Sequence, residues 1–275
     1  MLTSKDIACV VVLYNPDETI AMNIRRYSNT VGRLVLVDNS SEDHSEMLEG
    51  MDYLPLMENT GIAHALNVGI EHLSEEYIIT MDQDSLLSSD VVEAYLKFLN
   101  HHDSSTVGAM TCQYETDRHH ARKKGGFENV KLSMQSGTIF KRSVLQKTGA
   151  FDERLFLDVV DYEYFLRMEQ MGFGLIRIND AVLEHHPAET HEKLGIKYGV
   201  ASPLRYYYQA RNLLWTARKY HSAELYRRLL IKWAKILLLF DDKKEYLRMF
   251  RQGIRDAKEG RLGKYVQDPD RNSDL

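Results

Sequence analysis

The run Tyr77-Ile78-Ile79-Thr80-Met81 is followed at once by Asp82-Gln83-Asp84-Ser85. Two carboxylates at i and i+2, placed where a parallel strand ends, lie in the crevice in which open α/β sheets bind ligands. Hard oxygen donors there suit Mg²⁺ or Mn²⁺ carrying a phosphorylated substrate. An exposed acidic turn would read the same way. A second signal, Val37-Asp38-Asn39-Ser40-Ser41, ends another apolar run; its carboxylate and amide could hydrogen-bond a nucleobase or ribose, or Ser41 or Asp43 could cap a helix. In Asn59-Thr60-Gly61, ahead of Ala65-Leu66-Asn67-Val68-Gly69, Gly61 allows close backbone approach and a helix N-terminus would face a ligand; a plain helix start is the alternative. Asp158, Asp161 and Glu163 open a helical stretch, where the dipole keeps carboxylates ionised and able to accept protons, although capping alone explains them too. His185 and His186 end a short apolar run before Pro187, as metal ligands or as surface histidines.

The elements that must position these residues follow from hydrophobic periodicity. Ile7–Tyr14 is continuous and rich in β-branched residues, as in a strand buried on both faces. Runs at 34–37, 53–57 and 77–81 follow, each with a polar turn and a helical segment after it, which predicts a parallel sheet flanked by helices. Asp17, after Asn15-Pro16, is placed to cap the first helix. Strands are expected at 107–112 and 132–140 around a polar loop at 117–126, then a helix from Val160 to Met171 and two short strands, 175–178 and 181–184. From Ser202 to about Lys258 only helical spacing remains. The predicted division is a nucleotide-binding α/β domain over 1–200 and a basic helical subdomain over 201–275.

Composition excludes other classes. Hydrophobic residues make up 44% of 275, with five prolines and sixteen glycines, which rules out collagen-like and low-complexity chains. The apolar runs fall far short of the roughly 20 residues that span a bilayer. The first residues carry no secretory signal pattern and the two cysteines no C-x-x-C spacing, so a cytoplasmic location is expected. The net charge of −5 hides an asymmetry: residues 1–196 carry 17 basic against 31 acidic side chains, and 197–264 carry 17 against 6. Two surfaces with different partners are implied, and nucleic acid is not among them.

In this order the pieces resemble the family 2 glycosyltransferases with a GT-A fold, within them the bacterial rhamnosyltransferase-like branch. The likeness runs over residues 7–260 through Val11–Pro16, Val37–Ser40, Asn59–Gly61, Met81–Ser85, Ser136-Gly137-Thr138, Phe156–Asp161 and Arg205-Tyr206-Tyr207-Tyr208-Gln209-Ala210-Arg211-Asn212. Many relatives have a Glu-Asp pair where this chain has Val160-Asp161, and tend to have a glycine near the position of Pro187.

The resemblance implies a Rossmann-like, mostly parallel central sheet plus a helical C-terminal subdomain. It implies an inverting, metal-dependent transfer of L-rhamnose from dTDP-L-rhamnose to a lipid-linked or oligosaccharide acceptor, with a UDP-linked galactofuranosyl or hexosyl donor, or a non-catalytic sugar-nucleotide-binding subunit, as alternatives. Asp84 and His185 would hold Mg²⁺ or Mn²⁺, with Asp82 at the ribose or the metal. Tyr14, Asn15, Asp38, Asn39, Asn59 and Gly61 would bind the nucleotide, and Asp161 would be the general base. Asp158, Arg205, Arg211, Asn212 and Lys219 would face the acceptor and its diphosphate. Lys232, Trp233, Lys235 and the apolar stripe could rest on the inner face of the plasma membrane, form a homodimer, or simply pack with solvated cations.

Overall fold

Seven apolar residues, Ile7–Leu13, form strand β1, and all seven are buried. In the computed structural model, which describes residues 1–118, 120–121, 124–185, 190–193 and 195–267, β1 is the centre of the first of two units. That unit comprises Met1–Phe151 with Tyr164–Pro187; the second comprises Asp152–Glu163 with Ala188–Leu275. The division expected at 200/201 is therefore crossed by an internal segment, 152–163, that groups with the C-terminal helices.

In the first unit β1 is followed by α1 (Glu18–Tyr27), β2 (Arg33–Asp38), β3 (Asp52–Pro55), α2 (Ile62–His72), β4 (Tyr77–Asp82), β5 (Ser85–Leu86) and α3 (Ser89–His101). Then come β6 (Val107–Glu115), β7 (Phe127–Val130), β8 (Thr138–Lys141), α4 (Arg142–Thr148), α5 (Val160–Gln170) and β9 (Gly174–His185); the first turn of α5 is counted with the second unit. Asp17 caps α1 as expected, accepting a hydrogen bond from the Ile20 N–H at 2.9 Å. The sheet order is β3-β2-β1-β4-β8-β6-β9-β5, with β7 also paired to β9. The strands from β3 to β4 are all parallel. Beyond them β8 runs antiparallel to both β4 and β6, so the sheet is mixed where a mostly parallel one was expected. On one face the side chains of Cys9, Val11, Leu36, Ile79, Met110 and Leu183 join Ala21 and Ile24 of α1 and Val91 and Tyr95 of α3 in a single core.

Three other expectations change. No helix stands between β2 and β3, where residues 41–51 form turns. The strand expected over 132–140 is confined to β8, which begins at Thr138 just after the Gly137 backbone turns left-handed (φ +75°). A Cβ there would meet Leu183 Cδ2 at 2.7 Å. The two short strands after α5 are one strand, β9, whose pairing with β6 slips between Thr111 and Gln113 and so absorbs the polar Asn179-Asp180.

The second unit holds a hairpin, β10 (Thr190–Lys193) with β11 (Ile196–Gly199), and three helices, α6 (Pro203–Tyr220), α7 (Ala223–Leu239) and α8 (Lys244–Glu259). Ser202 and Ser222 cap α6 and α7. Phe156, Tyr207, Tyr208 and Met249 pack together, so the tyrosine run serves the core. Helix α8 approaches α6 through Gly253, where a Cβ would lie 2.4 Å from the Tyr207 carbonyl oxygen.

Candidate active site

Parallel register brings the chemical residues of the first unit to one edge. Leu13 lies beside Asp38, and Val12 beside Asp82, so the chain leaves β1, β2 and β4 at adjacent points. Gln83, between the two aspartates, ties the end of β4 to that of β1: its amide donates to the Tyr14 carbonyl (3.1 Å) and its oxygen accepts from the Tyr14 N–H (2.8 Å). The Asn15 N–H donates to Ser40 Oγ at 2.7 Å.

The antiparallel pairing of β5 with β9 sets Ser85 opposite His185. His185 Nδ1 is 2.9 Å from Ser85 Oγ and 3.4 Å from Asp84 Oδ1. Ser85 Oγ lies 2.8 Å from Ser136 Oγ, which accepts the Asp82 N–H at 3.0 Å. Gln135 donates to Asp82 Oδ1 at 2.5 Å. The Asp84 carboxylate is 42% exposed and Asp82 half-buried, so both can be reached. Burial works against charge on the His185 ring, but the hydrogen bond and charge of Asp84, with the charge of Asp82, outweigh it and raise its pKa.

At the β2 tip the geometry is different. Asp38 is buried, and both its oxygens are engaged: Oδ1 by the Ser40 N–H and hydroxyl, Oδ2 by Tyr53 OH (2.8 Å) and His44 Nδ1 (2.7 Å). Asn39 Oδ1 accepts from the Thr60 N–H and hydroxyl, and its amide donates to Asn59 Oδ1, which also accepts the Gly61 N–H. These residues hold the loop that enters α2 at Gly61 (φ +91°).

In the second unit Asp158 forms a fork with Arg205, the shortest contact 3.0 Å. Asp161 opens α5 half-buried, accepting the Tyr162 N–H at 2.8 Å. Glu163 is buried and accepts from Lys219 Nζ (2.9 Å) and Tyr220 OH (2.6 Å). Arg211 and Asn212, expected at the acceptor, are engaged inside the unit. Both are buried, and they spend their donors on backbone carbonyls: Arg211 on Leu155 and Gly263, Asn212 on Leu155, Leu157 and Asp158. Lys232 is half-buried rather than laid out on the surface, and burial lowers its pKa. His186 and Pro187 lie outside the described residues.

The model of glycosyl transferase family 2 matches residues 8–155. The chain belongs to that family. Among curated proteins this glycosyltransferase is 27% identical over 242 residues to dTDP-rhamnosyl transferase RfbF of Shigella flexneri, covering 79% of this chain and 82% of the relative. Among solved structures it is similar to a mannosyltransferase of Pyrobaculum calidifontis in complex with GDP-Man and Mn²⁺, at TM-score 0.57 and 17% identity, over 94% of this chain and 76% of that one. It is also similar to TarS of S. aureus in complex with UDP-GlcNAc, at TM-score 0.61 and 13% identity, over 90% and 81%. The fold is GT-A.

Whether the glycosyltransferase could hold a cation at Asp84 and His185 can be judged from the donor atoms. Neighbouring ligands of an octahedral ion with bonds of about 2.1 Å stand about 3 Å apart, close to the 3.4 Å between Asp84 Oδ1 and His185 Nδ1. Among the described residues no group of three His, Cys, Asp or Glu side chains could hold an ion. One or two carboxylates, with phosphate oxygens and water making up the rest, are a usual arrangement for Mg²⁺; Asp84 is such a carboxylate, and His185 would add a nitrogen.

Sequence reasoning missed the residues that orient the site. Gln83 and Gln135 adjoin named motifs and were legible as polar side chains at strand ends. His44 and Tyr53 carry no local signal, because they meet Asp38 only through the fold.

Proposed function

We propose that this glycosyltransferase moves L-rhamnose from dTDP-L-rhamnose, with inversion, to a lipid-linked glycan acceptor in surface-polysaccharide assembly. Asp84, His185 and Asp82, gathered at the carboxyl edge of the parallel strands, carry the reading, and the likeness to a dTDP-rhamnosyl transferase along most of both chains supports the donor. A divalent cation, Mg²⁺ or Mn²⁺, held by Asp84 and His185 would neutralise the charge that grows on the leaving diphosphate. Asp82 would hold the ribose or the cation, and Tyr14, Asn15, Asn39, Asn59 and Gly61 would line the nucleotide. Asp38, with both oxygens engaged, would position that wall through Ser40, or reach the base after exchanging a partner. Asp161 would take the acceptor proton as the new C–O bond forms. Asp158 and Arg205 would flank the acceptor.

The exposed face of α7 supports a place for the enzyme on an anionic membrane. Leu230 (65% exposed), Leu238 (70%), Ile231, Trp233 and Tyr226 are uncovered, and the surrounding stretch is basic. Two copies meeting through this face would repel, whereas anionic lipid attracts it. No described helix is long and apolar enough to cross a membrane, so this contact would be peripheral.

A donor panel of dTDP-rhamnose and UDP-hexoses with a lipid-diphosphate acceptor mimic, read by mass of product, tests the reading. Rhamnosyl transfer that needs a divalent cation, and that Asp84→Ala and Asp161→Asn abolish without change in Tm, is expected. Transfer from a UDP-sugar alone would overturn the donor, and full turnover in either variant the residue roles.

A further inference from the structure

Lys232, on α7, is a half-buried ammonium of the second unit. Among the described residues it has no carboxylate within ion-pair reach and no hydrogen-bond acceptor; its Nζ stands 5.8 Å from the centre of the Tyr206 ring. The cations that act on it are otherwise engaged: Arg205 forks onto Asp158, and Arg228 is held by Glu224 Oε1 (2.8 Å) and by Tyr162 OH (3.1 Å) over the Tyr162 ring. Burial lowers the Lys232 pKa and Arg205 and Arg228 lower it further, while Asp158 works the other way. A half-buried charge without a partner is costly, and a fold keeps one where a ligand supplies the missing anion.

We propose that Lys232, flanked by Arg205, Arg228 and Tyr162, binds a phosphate-type anion, the diphosphate of the acceptor. Lysine is a point-charge phosphate ligand, and the neighbouring Arg205 forks onto Asp158, two residues before α5 opens at Val160 with Asp161 in its first turn. This replaces Arg211 and Lys219, both committed to other partners, as the acceptor's anion site. The assignment to the acceptor rests on the transferase reading; the affinity for a diphosphate does not.

The test is calorimetric titration of the full chain with inorganic pyrophosphate in EDTA at fixed ionic strength, for wild type, Lys232→Met and Asp84→Ala. Wild type and Asp84→Ala are expected to bind alike, and Lys232→Met roughly tenfold or more weakly, the scale of a hydrogen bond to a charge. Because it removes an unpaired charge, Lys232→Met should have a Tm equal to or above wild type, which shows that it folds. Equal binding by Lys232→Met, no binding by wild type at millimolar pyrophosphate, or binding lost in Asp84→Ala overturns the proposal. Vesicles of phosphatidylglycerol separate a lipid headgroup from a diphosphate: vesicle binding that needs Lys232, without pyrophosphate binding, also overturns it.

Discussion

Asn212→Ala tests whether a polar residue of α6, expected at the acceptor, acts on ligand or on the fold. Its amide donates to the carbonyls of Leu155 (2.8 Å), Leu157 (2.7 Å) and Asp158 (3.0 Å), and its oxygen accepts from Arg211 Nε at 2.9 Å. The loop so held carries three non-glycine residues with left-handed backbone, Phe156 (φ +64°), Asp158 (+60°) and Val159 (+67°). Each such residue costs about 1–3 kcal/mol, and a β-branched Val is the least tolerant. Losing the two N–H donors, which three carbonyls share, and the oxygen that Arg211 donates to, at about 1 kcal/mol each, removes about 3 kcal/mol from the clamp. That is enough to let the strained turn relax and to displace Asp161. In a chain of this size each kcal/mol moves Tm by about 2–4 °C, so a fall of roughly 6–12 °C is expected, with a drop in kcat at saturating donor and acceptor. Differential scanning calorimetry and steady-state rates measure both. An unchanged Tm with a raised acceptor KM alone would show that Asn212 meets the acceptor, and the loop argument would fail.

Gly253→Ala should destabilise by several kcal/mol, about 3 or more by the overpacking scale, because the new Cβ meets the Tyr207 carbonyl oxygen at 2.4 Å; a urea titration with an unshifted midpoint would refute the close approach. Asp152 is half-buried, and although burial raises its pKa, the hydrogen bonds and charge of Arg154 prevail and lower it. Its folded pKa lies below the unfolded value, so its contribution is present above about pH 4 and lost as pH falls through the folded pKa. Asp152→Asn should flatten the fall of Tm between neutral pH and about pH 3, a change that melting curves across that range would detect. Both cysteines are buried, and burial pushes the Cys112 thiol up to about 12 and that of Cys9 higher still. Neither should react with a thiol reagent at pH 8 until the chain is unfolded, and labelling at the rate of a free thiol would contradict that burial.

Local chemistry alone made much of the candidate site in the first unit legible. Ile7–Leu13 is apolar over its whole length and 77–81 at all but Thr80, so both read as buried strands, and a carboxylate that ends such a strand emerges at its tip. That placed Asp82, Asp84 and Asp38 at one edge before any coordinates. The cap at Asp17 follows from the same short-range rules. What side chains at a distance do to one another was decided by tertiary structure. Asp38 was legible at a tip but not as a carboxylate taken up by His44 and Tyr53, since those contacts arise from the β2–β3 turn. Arg211 and Asn212, polar in a helical run, read as ligand contacts because nothing nearby in sequence says that the Leu155–Asp158 carbonyls need donors. Antiparallel β8 and the undivided β9 were missed because short apolar runs encode burial and not direction or pairing. Burial propensity is local in sequence, whereas hydrogen-bond satisfaction and strand pairing are settled only when distant segments meet.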